Sequence, residues 1–186
     1  MTRTGKPKTG DGGNLVSLKV TLRGIRPPVW RRLIMPGTMT LGDLHEAMGW
    51  EDGHLHAFDI GGTPYGDRRV VDDEHRLTPD GVVKSKVPRF RYTYDFGDNW
   101  EHTITVEKSP PAIEGRAYPA CVAGKRNCPP EDCGGVWGYA ELLHILADPA
   151  HPERADRLDW LGEAFDPEDF SVAVADAGLV ARFGRG

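Results

Sequence analysis

The chain has 186 residues, enough to bury one hydrophobic core, and its 39% hydrophobic and 27% charged residues are the balance of an ordinary globular protein. Its formal net charge is -5 and it has no long basic run, which argues against a broad nucleic-acid-binding surface. No apolar stretch approaches the ~20 residues that a membrane span requires, and the first residues lack the apolar segment of a secretory signal. We therefore expect a cytoplasmic protein with no membrane partner.

Residues 1–13 are polar and rich in Gly, Lys and Thr, a composition that predicts a flexible tail because it buries too little apolar surface to offset the entropy of ordering. The rest of the chain, 14–186, is expected to form a single domain with a helical part from about residue 137. Apolar and polar residues alternate from Leu15 to Leu22, which predicts a strand with one buried face. The run VWRRLIM, after Pro27 and Pro28, predicts a second strand that forms a hairpin with the first.

A short helix is predicted over residues 40–49. Thr40 can serve as its N-cap, Asp43 stands at the capping-box position, and Gly49 ends it. After it, LHAFDIGGTPYG predicts a strand that ends in a Gly-Gly turn, and RFRYTYD and EHTITVEK predict two further strands.

The segment 109–138 is rich in Pro, Gly and Cys, and loops of that length are usually functional or structurally specialised. Three helices are predicted beyond it, around 139–146, 154–161 and 169–179. The chain is therefore expected to be an α+β protein, with a mixed, largely antiparallel sheet of about five strands, a crossing helix in a β-grasp-like arrangement, and C-terminal helices packed alongside.

The stretch YDFGDNWEH, residues 94–102, is predicted to be the turn of a hairpin and the centre of the site. Gly97 fits a turn that needs a positive φ, and the aromatic residues around it can anchor the turn. A functional interpretation stays open beside this structural one, because acidic and imidazole groups converge next to an aromatic wall. The candidate cleft residues on the hairpin are Tyr94, Asp95, Asp98, Trp100, Glu101 and His102.

His54 and His56 stand two positions apart, so on a strand they would project from the same face. Such a pair can chelate a metal if Asp59, Asp98 or His102 faces it across the sheet. The alternative is that both imidazoles hydrogen-bond on a polar sheet face. The candidate ligands for a divalent metal such as zinc are His54, His56, Asp98 and His102.

Three cysteines, Cys121, Cys128 and Cys133, are expected to be reduced, and their spacing does not match the close pairs of a zinc knuckle. A three-thiolate site completed by a histidine stays open. The favoured role of CPPEDCGG is structural, as an acidic loop covering the hairpin, with Glu131 and Asp132 near the N-terminus of the next helix. Glu131, Asp132 and Tyr139 complete the candidate cleft.

Three blocks of the sequence stand out together: LKVTLRGIRPPVWRRLIMPG, then MGWEDGHLHAF with YG after it, and YDFGDNWEHTITVE followed by CPPEDCGGVWGYAELL. They resemble the family named for an open reading frame of plasmid pRiA4b, whose members are also described as insertion-element passenger proteins of TnpR type. The resemblance spans about Leu15 to Leu179 and implies a setting on plasmids or mobile elements. The helix is about four residues shorter here than in the family pattern, one helical turn, which keeps the same face buried. The TnpR description implies a resolvase, but no serine of this chain stands among arginines.

Three functional hypotheses follow. The first is a non-enzymatic binding or interaction module, whose hairpin and acidic loop recognise a protein or a small ligand. The second is a metal-binding protein or metal-dependent hydrolase that uses the ligands named above. The third is a nucleic-acid-associated protein, suggested by the mobile-element setting and by Arg26, Arg31 and Arg32, with Trp30 next to the last two.

Overall fold

The structure is a computed structural model that describes residues 14–50, 53–66, 71–162 and 164–184. The predicted tail, residues 1–13, lies outside the described residues. Eight strands form one mixed sheet in the order β5-β4-β3-β6-β7-β1-β2-β8. The strands are β1 (Leu15–Leu22), β2 (Trp30–Pro36), β3 (His56–Ile60), β4 (Thr63–Gly66), β5 (Asp72–Asp73), β6 (Arg89–Tyr94), β7 (Trp100–Glu107) and β8 (Ala120–Lys125).

The centre of the sheet consists of antiparallel strands. β1 pairs with β2 on one side and with β7 on the other, and β7 pairs in turn with β6. Both predicted hairpins, β1–β2 and β6–β7, are therefore confirmed. The alternating apolar residues of β1, Val16, Leu18, Val20 and Leu22, all join the hydrophobic core.

Helix α1 (Leu41–Met48) covers this core and is the predicted short helix. The Thr40 side chain accepts a hydrogen bond from the Asp43 amide, and the Asp43 carboxylate accepts one from the Thr40 amide at 2.6 Å. Leu41 and Leu44 are completely buried beneath it. Gly49 ends the helix with a φ of 83°, a left-handed conformation that glycine adopts without steric cost.

The sheet has eight strands rather than about five, and the β-grasp arrangement is not confirmed. Three strands were not predicted from the sequence. Strands β4 and β5 are only 4 and 2 residues long, and β8 lies inside the Pro-, Gly- and Cys-rich segment. Helix α1 joins β2 to β3, which β1, β7 and β6 separate in the sheet. The parallel pairing lies at the sheet edge, between β4 and β5.

Four further helices are described: α2 (Pro79–Lys84), α3 (Gly135–Ala147), α4 (Arg154–Leu161) and α5 (Val172–Phe183). The sequence did not predict α2 or the 3-10 turn Glu74–Arg76 before it. The α3 helix begins four residues before Tyr139, and α5, capped by the Ser171 hydroxyl, lies against β8. None of the helices in the described part of the chain has the length and apolarity to cross a bilayer.

The N-cap of α1 generates a stability prediction. Replacing Thr40 with Ala removes the acceptor for the Asp43 amide and should lower the free energy of unfolding by about 1 kcal/mol. Urea denaturation measures this loss, and Thr40→Ser, which keeps the hydroxyl, should restore most of it. Equal stability of Thr40→Ala and the parent protein would contradict the capping role.

Candidate functional site

The hairpin between β6 and β7 turns over residues 95–99. The Asn99 amide donates to the Asp95 carbonyl at 2.6 Å, and the Gly97 amide donates to the Asp95 carboxylate at 2.8 Å. The left-handed positions are Asp95, with φ 52°, and Asn99, with φ 54°; the expectation that Gly97 would supply the positive φ is wrong. Asp and Asn tolerate this conformation because their side chains bond to nearby backbone groups, as Asp95 does here.

Aromatic side chains fix the base of this turn in the core. Tyr94 and Trp100 are cross-strand partners, and neither is exposed to solvent. The Trp50 ring stacks on Tyr94 at a centroid distance of 4.8 Å and on Trp100 at 5.9 Å. Phe96, at the tip, is 55% exposed. The turn is therefore attached to the core by the packing of these aromatic side chains, and Phe96 at its tip is exposed.

The loop before α3 docks on the hairpin. The Gly134 amide donates to the Asp98 carboxylate at 3.1 Å, and a Cβ at Gly135, where φ is 66°, would overlap the Asp98 carbonyl oxygen. The Tyr94 hydroxyl donates to Glu131 at 3.2 Å. Burial, and next the charge of Glu131, raises the pKa of Tyr94, so the phenol stays protonated as a donor. The Asp98 carboxylate thus holds the loop before α3 against the hairpin.

Three ionisable side chains converge where this loop meets the hairpin. His54 Nδ1 lies 3.8 Å from Asp95 Oδ1, and His54 Nε2 lies 3.3 Å from Asp132 Oδ1. One ligand atom from each residue falls within 4.8 Å of the others. Asp95 is buried, His54 is half-buried and Asp132 is exposed, so the cluster opens to solvent on its Asp132 side. We call His54, Asp95 and Asp132 the cation cluster; each comes from a different segment singled out in the sequence.

His56 belongs to a different group of side chains. Strand β3 begins at His56, so the strand alternation does not extend back to His54. His56 Nε2 lies 2.8 Å from a Glu74 oxygen, and its ring stacks on His45 at a centroid distance of 3.7 Å. His45 Nδ1 in turn lies 2.6 Å from the Tyr92 hydroxyl. His54 and His56 thus contact different groups of side chains, and the Nε2 atom of His56 is paired with Glu74 inside the protein.

His102 is a buried hydrogen-bonding residue beneath α1. Its Nδ1 donates to the Trp100 carbonyl at 3.0 Å, and its Nε2 accepts from the Trp50 indole at 3.2 Å. Burial lowers its pKa to about 4, so the ring is neutral at pH 7. Both ring nitrogens are engaged in these hydrogen bonds, so neither is available to ligate a metal ion.

The other predicted residues also lie outside the cation cluster. Glu101 pairs with Arg23 at 2.7 Å, and Asp59 pairs with Arg91 at 2.9 Å. Tyr139 is completely buried with its ring edge-on to Trp100, and burial raises its pKa to about 12. Glu101 and Asp59 thus lie in partly exposed ion pairs and Tyr139 lies in the core, so none of the three belongs to the cation cluster.

The three cysteines are free thiols, and burial raises the pKa of each, that of Cys133 to about 12. Within the described ranges, the group that could hold a metal contains no cysteine. The three-thiolate alternative therefore has no geometric counterpart there.

Sequence reasoning missed the network of His45, Tyr92 and Glu74. The burial of Tyr92 could have been predicted, because Phe90, Tyr92 and Tyr94 occupy every second position of β6 and so share one face. Glu74 carried no such signal, because it lies in a 3-10 turn 18 residues from His56 in the chain. The Glu74 carboxylate reaches the His56 imidazole only because β5 pairs with β4 and the 3-10 turn follows β5 directly.

The fold and the site define an α+β protein with an eight-stranded mixed sheet and a polar cluster at one hairpin turn. Residues 14–174 match the family model for plasmid pRiA4b ORF-3-like proteins. An uncharacterised protein of Sinorhizobium fredii, y4hQ, is 41% identical over 175 residues, which cover 88% of this chain and 87% of that protein. The crystal structure of a protein of unknown function, MM3350 from Methanosarcina mazei Go1, matches this chain with a TM-score of 0.80 and 40% sequence identity. The match covers 86% of this chain and 96% of the MM3350 chain. The chain belongs to the plasmid pRiA4b ORF-3-like family, and the resemblance seen in the sequence is confirmed.

The buried state of His102 predicts a pH dependence of stability. In the unfolded chain this imidazole takes up a proton near pH 6.5, whereas in the folded chain it does so only near pH 4. Between these values the unfolded state binds more protons, so the contribution of His102 lowers the free energy of unfolding as the pH falls, by on the order of 3 kcal/mol across the window.

Urea unfolding of the parent protein and of His102→Gln, measured from pH 4 to pH 7, tests this expectation. Glutamine keeps a polar partner for the Trp50 indole but has no proton to gain. The stability of the variant should fall less steeply towards acid pH. Parallel pH profiles for the two proteins would show that His102 does not titrate as its burial requires.

Proposed function

We propose that the protein is a binding module for a divalent transition-metal ion such as zinc or manganese, with the cation cluster as the site. The observation that carries the proposal is the convergence of the three side chains, with one ligand atom from each within 4.8 Å of the others. One imidazole nitrogen and two carboxylate oxygens form a ligand set that suits these ions. Binding requires the imidazole to turn one nitrogen towards both carboxylates, since Asp95 lies beside its Nδ1 and Asp132 beside its Nε2.

Charge supports the same proposal. The two carboxylates bring two formal negative charges to one place, and Glu131 adds a third next to Asp132 in the chain. A divalent ion offsets this repulsion. The competing account is that the His54 imidazole contacts Asp95 and Asp132 without any metal. Only the first account predicts that the protein binds a metal ion, and a metal titration measures this.

The backbone holds the carboxylates in position. Asp95 and Asp132 both adopt left-handed conformations, with φ of 52° and 55°. Such conformations carry some strain and persist when the surrounding structure holds them, which is common at ligand sites. Here the hydrogen bond between Asp98 and Gly134 fastens one Asp-bearing segment to the other. The two Asp-bearing segments are therefore held together before any ion arrives.

Three protein ligands leave further coordination positions for water or for a group from a partner. The segments that carry the cluster also expose apolar side chains, since Leu55 is 51% and Phe96 is 55% exposed. A protein or small ligand that completes the coordination would find apolar surface on these segments. This combines the binding-module hypothesis with the metal hypothesis in one site.

Isothermal titration of tag-free, metal-free protein with zinc and with manganese tests the proposal. We expect about one equivalent of one of these ions to bind. His54→Ala and Asp132→Asn should each weaken binding by at least about tenfold, because each removes a ligand. Asp132 is exposed, so its variant should keep the stability of the parent protein.

Two control variants match the chemistry of the site. His144→Ala removes an exposed imidazole on α3, and Asp59→Asn removes a carboxylate that pairs with Arg91. Both should bind metal like the parent protein. Binding of less than about 0.1 equivalents, or equal affinity in His54→Ala and the parent, would refute the proposal and leave the metal-free contact of His54 with the two carboxylates as the account.

A further inference from the structure

A second site lies away from the cation cluster. A pocket of about 310 Å³ opens between the end of α1, strands β2 and β8, and helix α5. It shares no lining residue with the cation cluster. Its walls combine apolar groups, among them Met48, Trp50 and Leu179, with the guanidinium groups of Arg31 and Arg182. The volume is at the lower end of the roughly 300–1,000 Å³ typical of small-molecule sites.

The two arginines differ in their partners. Arg182 pairs with Glu46 at 3.0 Å, so its charge is offset at the rim. Arg31 donates to the carbonyls of Trp30 and Lys125 at 2.9 and 3.0 Å. Its other contacts are the Cys128 sulfur at 3.6 Å and the face of Phe170, 3.7 Å from the guanidinium carbon. All of these partners are uncharged.

Within the residues that the structure describes, no carboxylate pairs with Arg31. The neighbouring thiols do not supply a negative charge to Arg31, because burial raises the pKa of both Cys121 and Cys128 and keeps them protonated. Burial also lowers the pKa of Arg31, which shows the cost of desolvating its positive charge. Arg32, on the opposite face of β2, has the usual arrangement and bonds to Glu107 at 2.6 Å.

We infer that this pocket binds a small organic acid, with its carboxylate on Arg31 and its apolar body against Met48, Trp50 and Leu179. A carboxylate matches the planar donors of a guanidinium, and a half-buried site strengthens the pairing. The described bonds use both Nη1 hydrogens and one on Nη2, which leaves Nε and the second Nη2 hydrogen as donors for the ligand. A second space, of about 30 Å³, shares Arg31, Met48 and Trp50 with the pocket and extends the apolar surface available to the ligand.

A matched pair of probes tests the inference: 4-phenylbutyrate and its neutral amide, 4-phenylbutyramide. Binding is followed by NMR chemical-shift titration of protein freed of metal and of chelator, so that the cation cluster contributes nothing. We expect the acid to bind with a Kd below about 1 mM and the amide at least about tenfold more weakly. Phenyl phosphate in the same titration shows whether the pocket prefers a carboxylate or a phosphate.

Substitutions of Gly178 test the location of the ligand. Gly178 lines the pocket from α5, and a Cβ built there meets no atom within 4 Å. Gly178→Leu should fill the space and remove binding of the acid, whereas Gly178→Ala should keep most of it. Neither change should lower stability, because both residues favour helix more than glycine does.

Substitutions of the arginines test the charge. Arg31→Gln should abolish the preference for the acid over the amide, and Arg182→Gln, at the rim, should keep it. If Arg31→Gln does not fold, the acid–amide comparison and the Gly178 pair carry the test. The inference is overturned if the amide binds as tightly as the acid, if Gly178→Leu binds like the parent, or if neither the acid nor phenyl phosphate binds at about 10 mM.

Discussion

The burial of the Tyr94–Trp100 pair at the base of the β6–β7 turn fixes the position of that turn and of the loop that docks on it. These side chains stand opposite one another in neighbouring strands and are fully enclosed, with Trp50 stacked over both. Large aromatic groups bury much apolar surface, so the turn cannot separate from the core without exposing it. Asp95 and Asp98 are positioned by that attachment, and the loop before α3 docks where Asp98 accepts the Gly134 amide.

The core beneath α1 contains polar groups that the same packing encloses. His102 is satisfied by Trp50 and by the Trp100 carbonyl, and His56 is satisfied by Glu74. A buried polar group is tolerated when its hydrogen bonds are made, and it destabilises the fold when one partner is removed. His102 thus joins Trp50, which follows α1, to β7, and His56 stacks on His45 of α1. They also explain why a count of histidines in the sequence overstates the ligands available to a metal.

The two proposed sites have opposite electrostatic character. At the hairpin turn, two carboxylates face one imidazole, which favours a cation. Beside α5, a half-buried guanidinium has only uncharged partners among the described residues, which favours an anion. They stand on different parts of the sheet, the first around the β6–β7 turn and the second at β2 and β8. A net charge of -5 conceals this separation, because composition averages over the whole surface.

The sequence by itself determined the family, the two hairpins, the capped helix α1 and the segments that carry the proposed metal site. These features depend on local patterns: alternation in β1, the Thr40–Asp43 capping box, and turn residues between β6 and β7. Tertiary structure alone decided the strand order, the short strands β4, β5 and β8, and which side chains meet. His54 and His56 are near neighbours in the chain, yet one faces Asp132 and the other Glu74. Spacing along a strand sets only the face of a side chain, whereas its partner comes from a distant segment that long-range packing places beside it.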